Sequence, residues 1–189
     1  MRRLIEKFYS LATGTVFALS AVVFVLFLGV VLPREAQRSE AYFGKTSTPD
    51  TSFIYSTEEL YRMAGDFGEE GRSYYIRSRF TFDVVWPLVY GLFLWAGIAY
   101  FGRPLRDSVR RTHSFARDAP VLPLLAVLLD FLENSSASLV MYFYPDRLPV
   151  VSALTPAFTF TKWVSVNLSF AALAILATFF LVRTSRHRK

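Results

Sequence analysis

The chain has no cysteine, which excludes disulfides, thiolate metal sites, nucleophilic thiols and palmitoylation. It has only two histidines, His113 and His187, both in basic segments where they are expected to be solvated. Neither falls in an apolar run. That removes the usual axial ligand of haem and the usual imidazole ligand for chlorins or metals, so no cofactor and no metal site is expected. A phosphate loop, an HExxH helix and a serine-nucleophile signature are missing too, as are solenoid-period repeats and low-complexity tracts. The N-x-S matches at Asn134 and Asn167 lie inside apolar runs and carry no meaning for glycosylation.

What the sequence has in abundance is apolar residues. They make up 53% of its 189 positions, a length usual for one domain. They are gathered into long runs at a mean hydropathy of +0.33, which implies a membrane protein. The net charge of +6 could suggest nucleic acid. However, the basic residues flank the apolar runs, where Lys and Arg set topology and meet anionic headgroups, so nucleic-acid binding is rejected.

Four spans are predicted, at about 11–33, 83–101, 121–144 and 150–182, forming an all-α four-helix transmembrane bundle in one domain. The first run is uncharged and is predicted to end at Pro33. It is too long for the apolar core of a signal peptide, usually about 7–15 residues, so an uncleaved helix is expected. Asp83 stands at the mouth of the second run with Pro87 in its first turn, where proline is tolerated. Pro145 closes the third, and the fourth is long enough to tilt or project from the lipid.

Arg2, Arg3 and Lys7 precede the first span. Arg103, Arg106, Arg110, Arg111 and Arg117 separate the second from the third, and Arg183, Arg186, Arg188 and Lys189 follow the fourth. Four spans bring all three clusters to one side, predicting cytoplasmic termini in the inner (plasma) membrane. The 34–82 segment is then the one sizeable outer loop. Ser56-Thr57-Glu58-Glu59 reads as a capping box, and Leu60, Met63, Ala64 and Phe67 follow on one helical face. Gly68 and Gly71 are expected to break or bend that helix. "RSYYIRSRF" has the composition of a membrane-interface belt, so helical pieces capping the bundle are expected.

Asp130, Glu133 and Asn134 share one face of the third span, continued by Ala137, Ser138 and Met141. One ionised side chain at mid-bilayer costs about 2.5–3.5 kcal/mol on insertion scales, so two carboxylates need protonation or a partner. The tight turn from Tyr144 to Pro149 makes the third and fourth spans an antiparallel hairpin. Equal rise on both arms brings position 133 opposite roughly position 161, next to Lys162. Lys162 lies within a polar stripe with Thr155, Thr159, Ser165 and Ser169. A Glu133–Lys162 or Asp130–Lys162 pair is therefore predicted. The remaining carboxyl would be protonated or shared with Asn134, Tyr90 or water. Asp83 reads as a capping acid at a helix N-terminus. Trp86, Trp95 and Trp163 read as packing and interface anchors.

The series Gly68-Glu69-Glu70-Gly71-Arg72 with Tyr75, Asp83 with Trp86-Pro87 and Tyr90, Asp130 with Glu133-Asn134, and Lys162-Trp163 resembles a family of small four-span bacterial integral membrane proteins with no assigned activity. The likeness spans about Tyr55 to Val182, and the D-x-x-E-N of the third span is its most specific part. It implies that the outer segment and the acidic cluster form one architecture, and it brings no substrate. A fainter likeness is to the sterol isomerase and sigma-2 receptor group, whose carboxylates stabilise a cationic amine or carbocation. This chain lacks that group's span histidine.

The intramembrane acids thus point first to a binding or accessory protein. Its candidate partners are membrane lipids, a hydrophobic or amine small molecule, or a partner membrane subunit. A membrane enzyme of isomerase type would use Asp130 or Glu133 as general acid/base. A proton or ion pathway comes third, because four short spans without a repeat leave little scope for alternating access. A packing role for the charged network stands beside all three.

Overall fold

The first apolar helix runs on past Pro33, contrary to the stop predicted there. The computed structural model describes residues 9–44, 46–108 and 118–186. In it, α1 (Gly14–Leu26) passes into a five-residue π-helical turn (Phe27–Val31) and then into α2 (Leu32–Phe43). A proline at 33 offers no N–H to the carbonyl of Gly29, and its ring collides with that carbonyl in a regular α-helix. The wider turn immediately before it moves the carbonyl aside and lets the helix continue. α2 ends at Gly44, whose φ of 59° suits glycine.

A short 3₁₀ turn (Pro49–Thr51) leads to α3 (Thr57–Asp66) and α4 (Gly68–Arg79). The long helices α5 (Phe82–Ser108), α6 (Val121–Phe143) and α7 (Pro149–Arg186) complete the chain. The described residues contain no strand, so the all-α class holds. Four helices are long and apolar enough to cross a membrane: Gly14–Phe43, Gly68–Pro104, Val121–Phe143 and Pro149–Ser185. The chain is a membrane protein.

Mean hydropathy in the best window is 2.8 for the first of these helices and 1.5 for the third, and the third is the more enclosed. The helix that gives up apolar character is thus the one sheltered from lipid. Of the basic clusters, Arg2, Arg3, Lys7, Arg110, Arg111, Arg117, Arg188 and Lys189 lie outside the described residues. So do His113, His187 and the side chains of Arg106 and Arg186. Arg103 donates to the carbonyls of Tyr9, Ser10 and Ala12, and Arg183 to that of Pro104.

The chain divides into two compact units. One holds α1 to Val25, the Val89–Leu125 stretch and α7 from Ser165. Tyr9, Ala12, Trp95, Ala96 and Ala99 are packed with Val16 and Phe17 there, and Phe24 stacks on Phe93 at 4.4 Å. Gly97 permits the close approach. A Cβ there would stand 2.6 Å from Leu173 Cδ1 and 2.9 Å from the Phe17 ring.

The other unit comprises Leu26–Leu88 and Ala126–Val164. The capping box of α3 forms as the spacing predicts: Ser56 Oγ accepts from the Glu59 N–H, and Glu59 Oε2 from the Ser56 N–H. Leu60, Met63, Ala64 and Phe67 are all buried, in a core with Phe43, Tyr75, Val140 and Met141. Gly68, at φ 64°, does end α3. Gly71 does not bend anything: it lies inside α4, where its missing side chain admits Phe67 Cβ and the Phe43 ring.

Pro156, inside α7, has no N–H for the Ser152 carbonyl. Thr57 Oγ1 donates to that carbonyl instead, at 3.2 Å, keying the start of α3 to α7. Arg72 Nη1 satisfies the Ala64 carbonyl near the end of α3.

Gly97→Val is expected to destabilise the protein by about 1–3 kcal/mol through overpacking, read as a lower midpoint in denaturant unfolding followed by circular dichroism. An unchanged midpoint would show that Leu173 and Phe17 can yield.

Candidate functional site: a buried acid-rich network

On α6, Asp130, Glu133 and Asn134 are buried together with Ala137, Ser138 and Met141, while Leu124, Leu128, Leu132 and Leu139 are exposed. The polar face and the lipid-fit face therefore separate as the helical period dictates. On α7, Thr155, Thr159 and Lys162 are buried in the same unit, and Ser165 and Ser169 are buried further along. Thr155 and Thr159 donate to the carbonyls of Val151 and Thr155 one turn back. Tyr55 Oη and Thr159 Oγ1 share a 2.8 Å hydrogen bond, and burial pushes the Tyr55 phenol above its usual range, keeping it protonated.

Lys162 Nζ is ion-paired with Glu133 Oε2 and lies 3.8 Å from Asp130 Oδ1. Both predicted pairings are thus present at once. The ammonium also sits 5.4 Å from the centroid of the Trp163 ring, a cation–π distance. Glu133 is 0% exposed. At an effective dielectric of about 20, unit charges roughly 4 Å apart interact by about 4 kcal/mol, comparable with the insertion cost of one ion.

A second group stands beside it. Arg79 Nη1 is 3.0 Å from Asp50 Oδ2 and 2.8 Å from Asp83 Oδ2. The Arg79 guanidinium lies 4.6 Å from the Tyr75 ring centroid, and its Nε and Nη2 reach Ser78 Oγ at 3.4 Å. Asn134 joins the two groups, its Nδ2 donating to Asp130 Oδ1 (3.3 Å) and to the Asp83 carbonyl (3.4 Å). Each group is one base between two acids, stacked on an aromatic ring.

Asp83 is in the first turn of α5, as a dipole-favoured acid should be, but its carboxylate is engaged by Arg79. Tyr90 is buried in the other unit. Two members of the network escape the sequence reading. Arg79 has the look of an interface arginine, yet it is buried. Its signal is the i, i+4 spacing to Asp83, hidden because the two residues fall on either side of the Phe80-Thr81 break. Asp50, from the 3₁₀ turn, has no local signal and arrives through a long-range contact.

No family model, curated protein or solved structure matches the chain. Its chemistry follows from the side chains themselves.

Four carboxylates face two bases, so the network is acid-rich when ionised. Among the described residues, Glu133 Oε1, Asn134 Oδ1 and Tyr75 Oη are buried and make no hydrogen bond, leaving acceptor and donor capacity unspent. Asp50, with 23% of its side chain exposed, is the most accessible acid. Burial would raise its pKa, but the Arg79 guanidinium and Lys162 ammonium, with hydrogen bonds from Arg79 and Thr48, hold it below the ordinary carboxylate value.

Lys162→Met should cost about 3–5 kcal/mol in denaturant unfolding, because two acids lose their base, and adding Glu133→Gln should restore part of that loss. A Lys162→Met protein as stable as wild type would mean the carboxyls need no base. For Asp50, the depressed folded-state pKa means its contribution is fully present above the unfolded-state value. It is lost as pH falls through the lower folded value. The midpoint should therefore drop on acidification below about pH 4, more steeply in wild type than in Asp50→Asn.

Proposed function

We propose that this membrane protein is a binding or accessory protein whose buried network takes the positively charged group of a lipid-like amine. The observation that carries the reading is the charge imbalance: Asp50 and Asp83 share Arg79, and Asp130 and Glu133 share Lys162. Packing alone needs one acid per base, and each surplus carboxylate in a desolvated site raises the free energy unless a cation or a proton joins it. A ligand ammonium supplies that charge and can donate to the unspent Glu133 Oε1 and Asn134 Oδ1. A partner helix bearing a basic residue would satisfy the same chemistry.

Binding is favoured over turnover. A general acid or base must come within about 3 Å of the reacting atom. Glu133 Oε2 and Asp130 Oδ1 both face Lys162, so neither acid is free to pass a proton to a substrate, whereas a ligand ammonium needs only to stand beside them. The basic clusters flanking the apolar helices support an inner-membrane orientation with both termini cytoplasmic.

The test uses purified protein in nanodiscs, with dodecylamine as probe and dodecanol as its uncharged counterpart. Dodecylamine should raise the melting temperature and dodecanol should not. Asp130→Asn, which keeps the Glu133–Lys162 pair, should cut the dodecylamine shift by at least half. Equal shifts from the amine and the alcohol, or an undiminished shift in Asp130→Asn, would overturn the proposal.

A further inference from the structure

A groove of about 610 Å³, beside the acid-rich network and sharing Ser78 with it, opens between α2 and α4. Its charged walls are Arg34 and Arg38 from α2 and Arg77 from α4, with Glu35 as the only acid among the lining residues. All three arginines are exposed. Glu35 is largely occupied: Tyr74 Oη donates to its Oε1 at 2.8 Å, and Arg38 approaches its Oε2 at 3.7 Å. Among the described residues, Arg34 and Arg77 have no acidic partner. Arg77 is instead set over the Tyr74 ring, 5.7 Å from its centroid. Three guanidiniums against one engaged carboxylate give this groove an excess of positive charge, while the Ser78 and Thr81 hydroxyls on the same wall already donate to the carbonyls of Tyr75 and Arg77.

The level of the groove along its helices narrows the choice of anion. Val31 and Phe82 form its apolar lip. Before Val31 the chain exposes Leu26, Leu28 and Val30, and from Arg34 onward it is polar and charged. On the other wall the polarity turns over in the same way, because Val84, Val85 and Leu88 are exposed just beyond Phe82. Both walls cross from apolar to basic at the groove, which is where a bilayer puts its headgroups. On the orientation proposed above, the 34–82 segment is an outer one, so the bias of Lys and Arg toward cytoplasmic segments does not account for these arginines.

We propose that the groove binds the phosphate of an anionic phospholipid, with Arg34, Arg38 and Arg77 on the phosphate oxygens and the acyl chains leaving past Val31 and Phe82. The guanidinium fork suits a phosphate diester, and the apolar lip adds contact that a free phosphate cannot use.

The experiment is native mass spectrometry of the full chain released from nanodiscs of phosphatidylglycerol or phosphatidylcholine, with lipid retention followed by titration. Wild type should retain phosphatidylglycerol over phosphatidylcholine. Each arginine changed to glutamine should weaken retention about fivefold, and the triple variant by more than about fiftyfold. Millimolar glycerol phosphate should not displace the lipid. Circular dichroism confirms that each variant is folded, and Arg34→Gln alone, at an exposed site without partners, keeps the test valid if the triple variant fails. Equal retention of both lipids, or undiminished retention in Arg34→Gln, would sink the proposal. Displacement by glycerol phosphate would assign the groove to a soluble phosphate and likewise overturn it.

Discussion

The ammonium of Lys162, held against Glu133 and Asp130 where α6 and α7 run antiparallel, is the contact on which the polar interior depends. Without it, two carboxylates on an apolar helix would have to be neutral or the helix would have to leave the membrane interior. With it, α6 can carry a polar face and still be enclosed. The register of the hairpin is fixed too, since sliding either arm by a residue turns the partners away from each other. The Trp163 ring beside the ammonium adds a face that attracts the cation without bringing further negative charge.

Arg79 solves the same problem with different chemistry. Its planar guanidinium meets two carboxylates and lies over Tyr75, where a lysine would be a single point of charge. Asn134 then matters out of proportion to its size. Its amide reaches Asp130 and the Asp83 backbone, so a displacement in one charged group is felt in the other. The elements that bring these groups together are unlike one another: a 3₁₀ turn, the end of α4, the start of α5 and the facing arms of the hairpin. The network is therefore a property of the folded unit and of no single helix.

That distribution explains what could be read from the sequence. Helical period and hydropathy are local, so the apolar helices, the capping box at Ser56 and the buried face of α3 were all legible. The Lys162 pairing was legible because a tight turn makes two distant positions predictable neighbours. Asp50 was not, since nothing in Thr48-Pro49-Asp50 indicates which arginine it meets. Arg79 was misread because composition places arginine among tyrosines at an interface, while burial depends on what packs over it. Pro33 misled for a related reason. A proline forbids one hydrogen bond, and a π turn that forgoes it is invisible to residue counting.

Asp50 and Glu133 belong to one chain of charges yet experience different solvents. Nearly a quarter of the Asp50 side chain is open, whereas Glu133 is sealed. Dissolved ions weaken interactions between exposed charges over about a Debye length, some 8 Å at physiological ionic strength, and act far less on buried ones. Added salt therefore acts more on the Asp50–Arg79 pair than on the Glu133–Lys162 pair, and only weakly on either, because Arg79 is itself buried. The six charges thus run from a partly open end at Asp50 to a sealed end at Glu133, which answers to Lys162, to Asp130 and to whatever enters beside them.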